Sequence, residues 1–467
     1  MIDSNDQTST DIKPEVEPEA WFSQALAYMR IEQWAEAEKA LRQALQLAPD
    51  YAEAHCNLGY VLEQCGHWDA AEDAYRSSFQ HAPALLNAAL NLGVLLQRMS
   101  RFDEAESIYQ QAMRHHSEQP ALWTNLGILY TALQREHEAE RAHRHALNMA
   151  PDYRKARFNL SYLLLRQGRF EEGWRCLEAR TLTPHASIVN APRWNGEPLS
   201  GKTLLIICEG GHGDAIQFCR YALMLQQQWS VRLQIVCPLA LQRLFSMQPM
   251  FDEILTNAGQ AQCDYWCPLL SLPGLMETRI DNIPAQTPYL SVSSEHQQEW
   301  QALLPAEGVN VGLVWKGNPK FENDVDRSLP SAGCFMLLRN IPGVNLIRLQ
   351  QEPASEVGAA AVGLHDLPEA MVDFADMAAV ISGLDLVISV DTAAAHLAGA
   401  MGKPCWLMLP TYMTDWRWMT VRDDSPWYPS MRLFRQTERG MWLDVMNDMA
   451  HTLQAATAVG GMFSLRE

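Results

Sequence analysis

The tripeptide Asn57-Leu58-Gly59 returns as Asn91-Leu92-Gly93, as Asn125-Leu126-Gly127 and, weakened, as Asn159-Leu160-Ser161, each copy 34 residues after the last. The same interval links Ala37, Ala71, Ala105 and Ala139. It also links Trp34, Trp68, Phe102 and, past Glu136, Phe170, and it joins Pro49, Pro83 and Pro151. Self-similarity at such a period means one supersecondary unit that cannot bury its apolar face alone and must stack on its neighbours. The positions predict a helix–turn–helix in each unit. The glycine lets helix A approach its own helix B, and the alanine does the same from the other side. The aromatic just after the turn plugs the gap between the paired helices, and the proline ends helix B. About five units, the first starting near Trp21, are expected to form a superhelix.

A period of 34 with this order of residues resembles the tetratricopeptide repeat. Arrays of this kind hold a peptide in a concave groove. Asn57, Asn91 and Asn125 sit where groove-lining amides would grip an extended backbone. The alternative is that they brace adjacent helices. The repeats are expected over 19–182, behind a disordered tail at 1–18. A connector follows at 183–200, carrying Pro184, Pro192 and Pro198 with no sustained period.

Charge narrows the partners. The net charge is −19 and the acidic excess runs through both halves, which leaves no footprint for a nucleic-acid backbone. Met1 to Glu19 carry acids and no apolar core, so no secretory leader is expected. No run of about 18 apolar residues occurs, so nothing is expected to span a membrane. The ten cysteines are scattered, several inside apolar stretches, as buried reduced thiols of a cytoplasmic protein would be. Cys263 and Cys267 have the spacing of a metal pair, but no second pair or nearby histidine follows, and no metal is expected there.

From Lys202 the pattern changes to short apolar runs alternating with helical ones. Thr203–Cys208, Val231–Cys237, Val311–Trp315, Asn345–Leu349, Leu386–Val390, Cys405–Leu409 and Met431–Phe434 read as strands, and Ala215–Gln227 as a helix. Alternation of this kind argues for parallel sheets, and the break near 290–308 argues for two. The expected class is therefore an α-solenoid followed by two Rossmann-like α/β lobes, 201–304 and 305–467, the second with a terminal helix. Ligands of such sheets bind at the carboxyl ends of the strands, here the cleft between the lobes.

Two turns carry candidate chemistry. The first, Gly210-Gly211-His212-Gly213-Asp214, has Ile216 where a dinucleotide fingerprint has its third glycine. An acid at a helix start repels phosphate, while the helix dipole keeps that acid ionised. Asp214 thus reads as a general base for an acceptor hydroxyl, or as a plain helix cap. The second turn runs from strand Leu386–Val390 into Asp391-Thr392-Ala393-Ala394-Ala395-His396. Thr392 is placed to cap the helix, and the amides of Ala393 and Ala394 are placed to hold a diphosphate without a metal. His396 is expected near the same mouth, or packed. Lys316 and Arg327 are candidates to neutralise a leaving phosphate, or ordinary loop charges. Asp324-x-Asp326 matches the short acidic motif of metal-dependent sugar transferases but reads as a loop.

Several of these pieces share an order. Glu209 to Asp214 is followed by Gln217-Phe218-Cys219-Arg220-Tyr221. Gly312-Leu313-Val314-Trp315, Ser389-Val390-Asp391-Thr392 and His396-Leu397-Ala398 come next, with Asp415-Trp416-Arg417-Trp418, Trp427-Tyr428-Pro429 and Arg435-Gln436 in the tail. Residues 201 to about 440 resemble the heptosyltransferase-like transferases of glycosyltransferase family 9, which have the GT-B fold. That resemblance implies an inverting, metal-independent transfer, with no cofactor beyond a nucleotide-sugar donor as co-substrate. It assigns the base to Asp214, with Gly211, His212, Gly213 and Gln217 around it. It assigns the donor phosphates to the Asp391-Thr392 turn, to which the reading of the residues adds Ala393, Ala394, His396, Lys316 and Arg327. Two departures from the family pattern bear on the donor: His212 in place of leucine and Ala393 in place of glycine speak against a heptose.

The combination with repeats is similar in architecture to flagellin glycosyltransferases, which implies a protein acceptor recruited by the array and glycosylated on Ser or Thr. Two other readings compete. One is a transferase building a surface polysaccharide or lipopolysaccharide. The other is a non-catalytic scaffold with a degenerate transferase half, against which Asp214, Asp391, Thr392 and His396 speak by being intact.

Overall fold

The computed structural model describes residues 17–182, 184–321, 323–350, 362–368 and 371–458. They form two compact units that divide between Asn159 and Leu160. All but the last two residues of the expected tail lie outside the described residues, and Pro18 already opens the first helix.

The first unit is helical. Its pairs are α1 (Pro18–Arg30) with α2 (Trp34–Leu47), α3 (Ala52–Gln64) with α4 (Trp68–His81), α5 (Leu86–Arg98) with α6 (Phe102–His116), and α7 (Pro120–Ala132) with α8 (Glu136–Met149). Helix α9 (Arg154–Arg166) contains the division, and α10 (Phe170–Leu177) belongs to the second unit. The repeated alanines Ala37, Ala71, Ala105 and Ala139 are fully buried. The repeated glycines have one shared reason. A Cβ on Gly59 would lie 2.6 Å from the Tyr75 ring, and one on Gly93 or Gly127 would overlap Tyr109 or His143 outright.

In the second, third and fourth pairs a ring in the middle of helix B, Tyr75, Tyr109 or His143, therefore fills the space beside the glycine. The aromatics after the turn, expected to be the plug, differ in burial: Trp68 is 42% exposed with Arg98 5.9 Å from its ring, Trp34 and Phe102 are half-buried against the core, and Phe170 is 2% exposed.

His143 breaks the series. Tyr75 donates its hydroxyl to Glu63 at 3.0 Å, and Tyr109 accepts from Gln97 at 2.9 Å. The third partner position holds Thr131, which donates to the Gly127 carbonyl instead. Among the described residues neither ring nitrogen of His143 has a hydrogen-bond partner, and burial pulls its pKa down to about 4. The folded state thus holds His143 neutral while the unfolded chain protonates near pH 6.5. Its contribution to stability is intact above pH 6.5 and is lost as pH falls, by about 3 kcal/mol at pH 4. His143→Phe is expected to flatten this part of the stability–pH curve. Hydrogen exchange in α7 and α8 at pH 7 and pH 5 would check it, and an unchanged slope would refute it.

The second unit holds two wholly parallel sheets. The first is ordered β3-β2-β1-β4, from β1 (Thr203–Ile207), β2 (Arg232–Val236), β3 (Glu253–Leu255) and β4 (Tyr265–Pro268). The second is ordered β6-β5-β7-β8-β9, from β5 (Val309–Val314), β6 (Val344–Arg348), β7 (Leu386–Val390), β8 (Cys405–Leu409) and β9 (Met431–Arg435). Every residue of β7 and β8 is buried, as expected of strands covered on both faces. Strand order reverses between β1 and β4 and between β5 and β7, so the turns after β1, β5 and β7 lie at the switch points where such sheets bind ligands.

Local differences from the sequence reading have identifiable causes. The helix expected over Ala215–Gln227 is two, α11 (His212–Phe218) and α12 (Arg220–Gln228). Side chains take carbonyls at the break: Arg220 Nε donates to Gln217 at 2.8 Å and the Tyr289 hydroxyl to Ile216 at 3.0 Å. Strands β3 and β4 are too short to show a period. The proline-bearing stretch before β1 carries structure of its own, since Trp194 is fully buried and its N–H donates to the Trp266 carbonyl on β4 at 2.8 Å. Cys267 lies buried within β4, where burial pushes its thiol pKa up. Among the described residues no helix is long and apolar enough to cross a membrane.

Candidate active site

The turn after β1 is pinned at both ends. At its start the buried Glu209 carboxylate accepts Arg180 Nε at 3.0 Å and the Leu270 N–H at 3.2 Å. At its end Asp214 Oδ2 accepts the Gly211 N–H at 2.6 Å, so this side chain does cap the start of α11, reaching back from the first helical turn. Its other oxygen takes the Nη2 of Arg417.

Burial raises the Asp214 pKa above the ordinary carboxylate value, opposed first by Arg417 and then by the Gly211 N–H. The sequence reading credited the helix dipole with keeping this group ionised. In the structure the larger opposing influence is an arginine some two hundred residues away, because a full charge in hydrogen-bond contact outweighs the partial charge of a helix end.

The turn after β7 faces it. Helix Ala393–Ala400 begins after Thr392, whose backbone is extended as a cap residue requires. Its hydroxyl does not cap, however; it lies 2.9 Å from Ser389 Oγ, because that buried hydroxyl offers a nearer partner. Ala393 and Ala394 supply first-turn amides, which have no acceptor within their own helix.

Asp391 lies beside them. Burial and the neighbouring Asp415 push its pKa up to about 6, with Arg327 and Arg417 acting the other way. Its carbonyl accepts Arg327 Nη1 at 3.0 Å. Arg327 is thus brought to the candidate anion turn, held by Asp324 at 2.9 Å and lying 4.5 Å from the Phe321 ring. Lys316 is on the adjacent β5 turn, where its N–H donates to Gln350 Oε1 at 3.1 Å.

The glycine-rich turn before α11 meets helix Ala393–Ala400 at His396. A Cβ on Gly213 would lie 2.7 Å from the His396 ring, so only glycine lets α11 approach helix Ala393–Ala400 this closely. His396 is packed rather than open to the mouth. Its Nδ1 pairs with the Tyr428 hydroxyl at 2.9 Å, its ring lies 5.4 Å from Trp418, and its Nε2 is 3.9 Å from Asp391, too far for a hydrogen bond. Burial, then Arg417 and Arg220, hold it neutral. His212 lies on the rim with its ring 5.1 Å from Phe374.

The acidic Asp324-x-Asp326 motif forms one helical turn, Asp324–Arg327, not a loop. Its carboxylates are committed to arginines: Asp324 to Arg327, and Asp326 to Arg439 Nε at 2.6 Å and Nη2 at 2.9 Å.

The structure therefore brings together Asp214, Gly213, Gln217, Asp391, Thr392, His396 and Arg327. Asn57, Asn91 and Asn125 all lie in the first unit. Asn57 and Asn91 are half-buried, the latter with its amide 3.8 Å from Cys56 Sγ, while Asn125 is buried and accepts Lys155 Nζ at 3.2 Å. Sequence reasoning gave no role to Arg417, Asp415, Arg220 or Tyr428. Arg417 binds Asp415 at 3.0 and 3.2 Å, Gln217 Oε1 and Asp214. Arg220 reaches the Pro284 and Trp427 carbonyls and Tyr289. The available signal was the density of arginine and tryptophan in Asp415–Trp418. A cavity of 470 Å³ bounded by Leu304, Asn310, Asp385 and Lys403 opens at the other end of the second sheet, where strands begin, and contains none of these groups.

Residues 25–66 and 84–152 match tetratricopeptide-repeat families, and residues 368–435, spanning the β7 turn and the Arg417 segment, match glycosyltransferase family 9 (heptosyltransferase). The chain is 28% identical over 342 residues to Protein FlbA of Caulobacter vibrioides, covering 65% of this chain and 55% of that protein; it thus spans about half the length of that curated relative. Among solved structures, MamA of Desulfovibrio magneticus is 14% identical with a TM-score of 0.31, covering 34% of this chain and 91% of that one. Pseudomonas aeruginosa pilF is 19% identical with a TM-score of 0.33, covering 37% and 79%. Matches to tetratricopeptide-repeat families in the first unit and to the family 9 glycosyltransferase model in the second thus occur in one chain.

Proposed function

We propose that this protein transfers a sugar from a nucleotide-sugar donor to an acceptor hydroxyl, with inversion and without a metal, acting in the cytoplasm. The observation that carries the reading is the meeting of two strand-end turns: the Asp214 carboxylate on one side, and the Ala393 and Ala394 amides with Arg327 on the other. In this reaction the acceptor oxygen attacks the anomeric carbon as its proton passes to Asp214. The bond from that carbon to the diphosphate breaks, and the electron pair leaves with the nucleotide. The helix amides, Arg327 and Lys316 stabilise the departing charge, which is the task a preorganised cationic site performs without a metal. A single displacement of this kind inverts the anomeric centre.

The repeats are proposed to recruit a protein acceptor, flagellin-like, through the face carrying Asn57 and Asn91, for glycosylation on Ser or Thr.

Calorimetry against a panel of nucleotide sugars tests the donor site. Ala394→Glu and Thr392→Pro are expected to weaken donor binding at least tenfold and to leave helical content unchanged. The first sets a like charge against the phosphates, and the second removes an amide donor. Chelator is expected to leave turnover unchanged. Unaltered donor affinity in both variants would move the site elsewhere, and a strict divalent-metal requirement would overturn the metal-free mechanism.

A further inference from the structure

We propose that Arg417 is a positioning residue for Asp214, reaching across the junction of the two lobes to pair with and orient the carboxylate that takes the acceptor proton. This rests on the reading of Asp214 as the base. Arg417 belongs to the segment between β8 and β9, whereas Asp214 is on α11 of the first lobe. Its side chain is 7% exposed, and its three nitrogens have three separate partners: Nη2 on Asp214, Nη1 on both oxygens of Asp415, and Nε on the Gln217 carboxamide oxygen. The guanidinium lies 4.5 Å from the Trp416 ring and 5.2 Å from the Phe218 ring, which fix its plane. Asp415 and Gln217 thus set Arg417, and Arg417 together with the Gly211 N–H sets both oxygens of Asp214. A planar fork with three fixed partners has little freedom to rotate, so the carboxylate is presented in one orientation.

The charged and titratable groups facing this pair come from several elements. Asp415 is on the same segment, Tyr162 on α9, Cys208 after β1, Asp391 after β7, and His396 on helix Ala393–Ala400. Arg417 lowers the proton affinity of Asp214, and Asp415 raises it. The two therefore act with opposite sign on one carboxylate, which no general loosening of the fold would reproduce.

The test is a carboxyl titration of the full chain labelled with carboxyl-¹³C aspartate, the Asp214 signal being assigned by its loss in Asp214→Asn. Arg417→Gln is expected to raise the proton affinity of Asp214 tenfold or more, Arg417→Lys to restore most of the difference, and Asp415→Asn to shift it downward. Where turnover can be followed, its acid limb is expected to move in the same directions. An unmoved Asp214 titration in folded Arg417→Gln, or shifts of the same sign in Arg417→Gln and Asp415→Asn, would overturn the proposal. Should Arg417→Gln not fold, Arg417→Lys and Asp415→Asn decide it, an absence of the downward shift in Asp415→Asn counting against it. Failure of the base reading shows separately, as turnover retained by Asp214→Asn.

Discussion

Asp214→Asn is expected to lower turnover by about 10²–10⁴-fold with the fold and donor affinity preserved. The substitution is nearly isosteric, and an amide oxygen still accepts the Gly211 N–H, which the carboxylate accepts at 2.6 Å. Arg417 keeps its two bonds to Asp415, at 3.0 and 3.2 Å, so it is not stranded in the interior. What disappears is the group that accepts a proton. Because burial holds the Asp214 pKa above the ordinary carboxylate value, the proposed transfer by the parent chain should fall away with falling pH through a range higher than a solvent-exposed aspartate would give. That limb should be missing from the residual activity of the variant. Nucleotide release in single turnover, with calorimetry for donor affinity, measures both parts. Turnover within a few-fold of the parent in a folded variant would leave Asp214 as a helix cap and ion-pair partner only.

A chain beginning at Thr183 is expected to lose cooperative unfolding, whereas one beginning at Arg154 should keep it. The cut at Thr183 falls at the edge of the repeats as sequence defines them, but the second compact unit begins at Leu160. Phe170 and Trp174 are 2% and 4% exposed. Phe170 lies 6.0 Å from the Trp427 ring, Trp174 lies 5.4 Å from Trp416, and the Trp174 indole N–H donates to the Thr278 carbonyl at 2.9 Å. Losing either buried aromatic costs about 3–5 kcal/mol. Removing Arg180 also strands the buried Glu209 carboxylate, which costs a similar amount of about 3–5 kcal/mol. Even without strict additivity, such losses rival the roughly 5–15 kcal/mol that holds a domain together. Thermal unfolding followed by near-ultraviolet circular dichroism separates the two pieces. A sharp transition at the parental temperature in the shorter chain would show that this helix is dispensable. The outcome bears directly on where the repeats are cut from the second unit in any recruitment experiment.

The sequence by itself determined whatever repeats at short range. A period of 34 specified the helix pairs, because each unit solves the same packing problem and leaves glycine, alanine and proline at the same places. Apolar runs such as Leu386–Val390 and Cys405–Leu409 became strands with those same limits, since a strand covered on both faces needs apolar side chains at every position. The turns carrying Asp214 and Asp391 were legible for the same reason, lying where a buried strand runs into a helix. Only tertiary structure decided what those turns touch. Arg417 and Asp214 are 203 residues apart, and Arg220 and Trp427 are 207 apart. The partners of a buried guanidinium are chosen by which lobe surface folds over it, and such contacts leave no local period. The same holds for Phe170 and Trp174, whose positions follow the repeat while their rings serve the core of the second unit. Thr392 turned from its helix end to Ser389, and His143 took a tyrosine's place without a tyrosine's partner. Spacing can say that a side chain is present at a helix end or in a helix pair, but burial and the nearest available polar group decide what it does there.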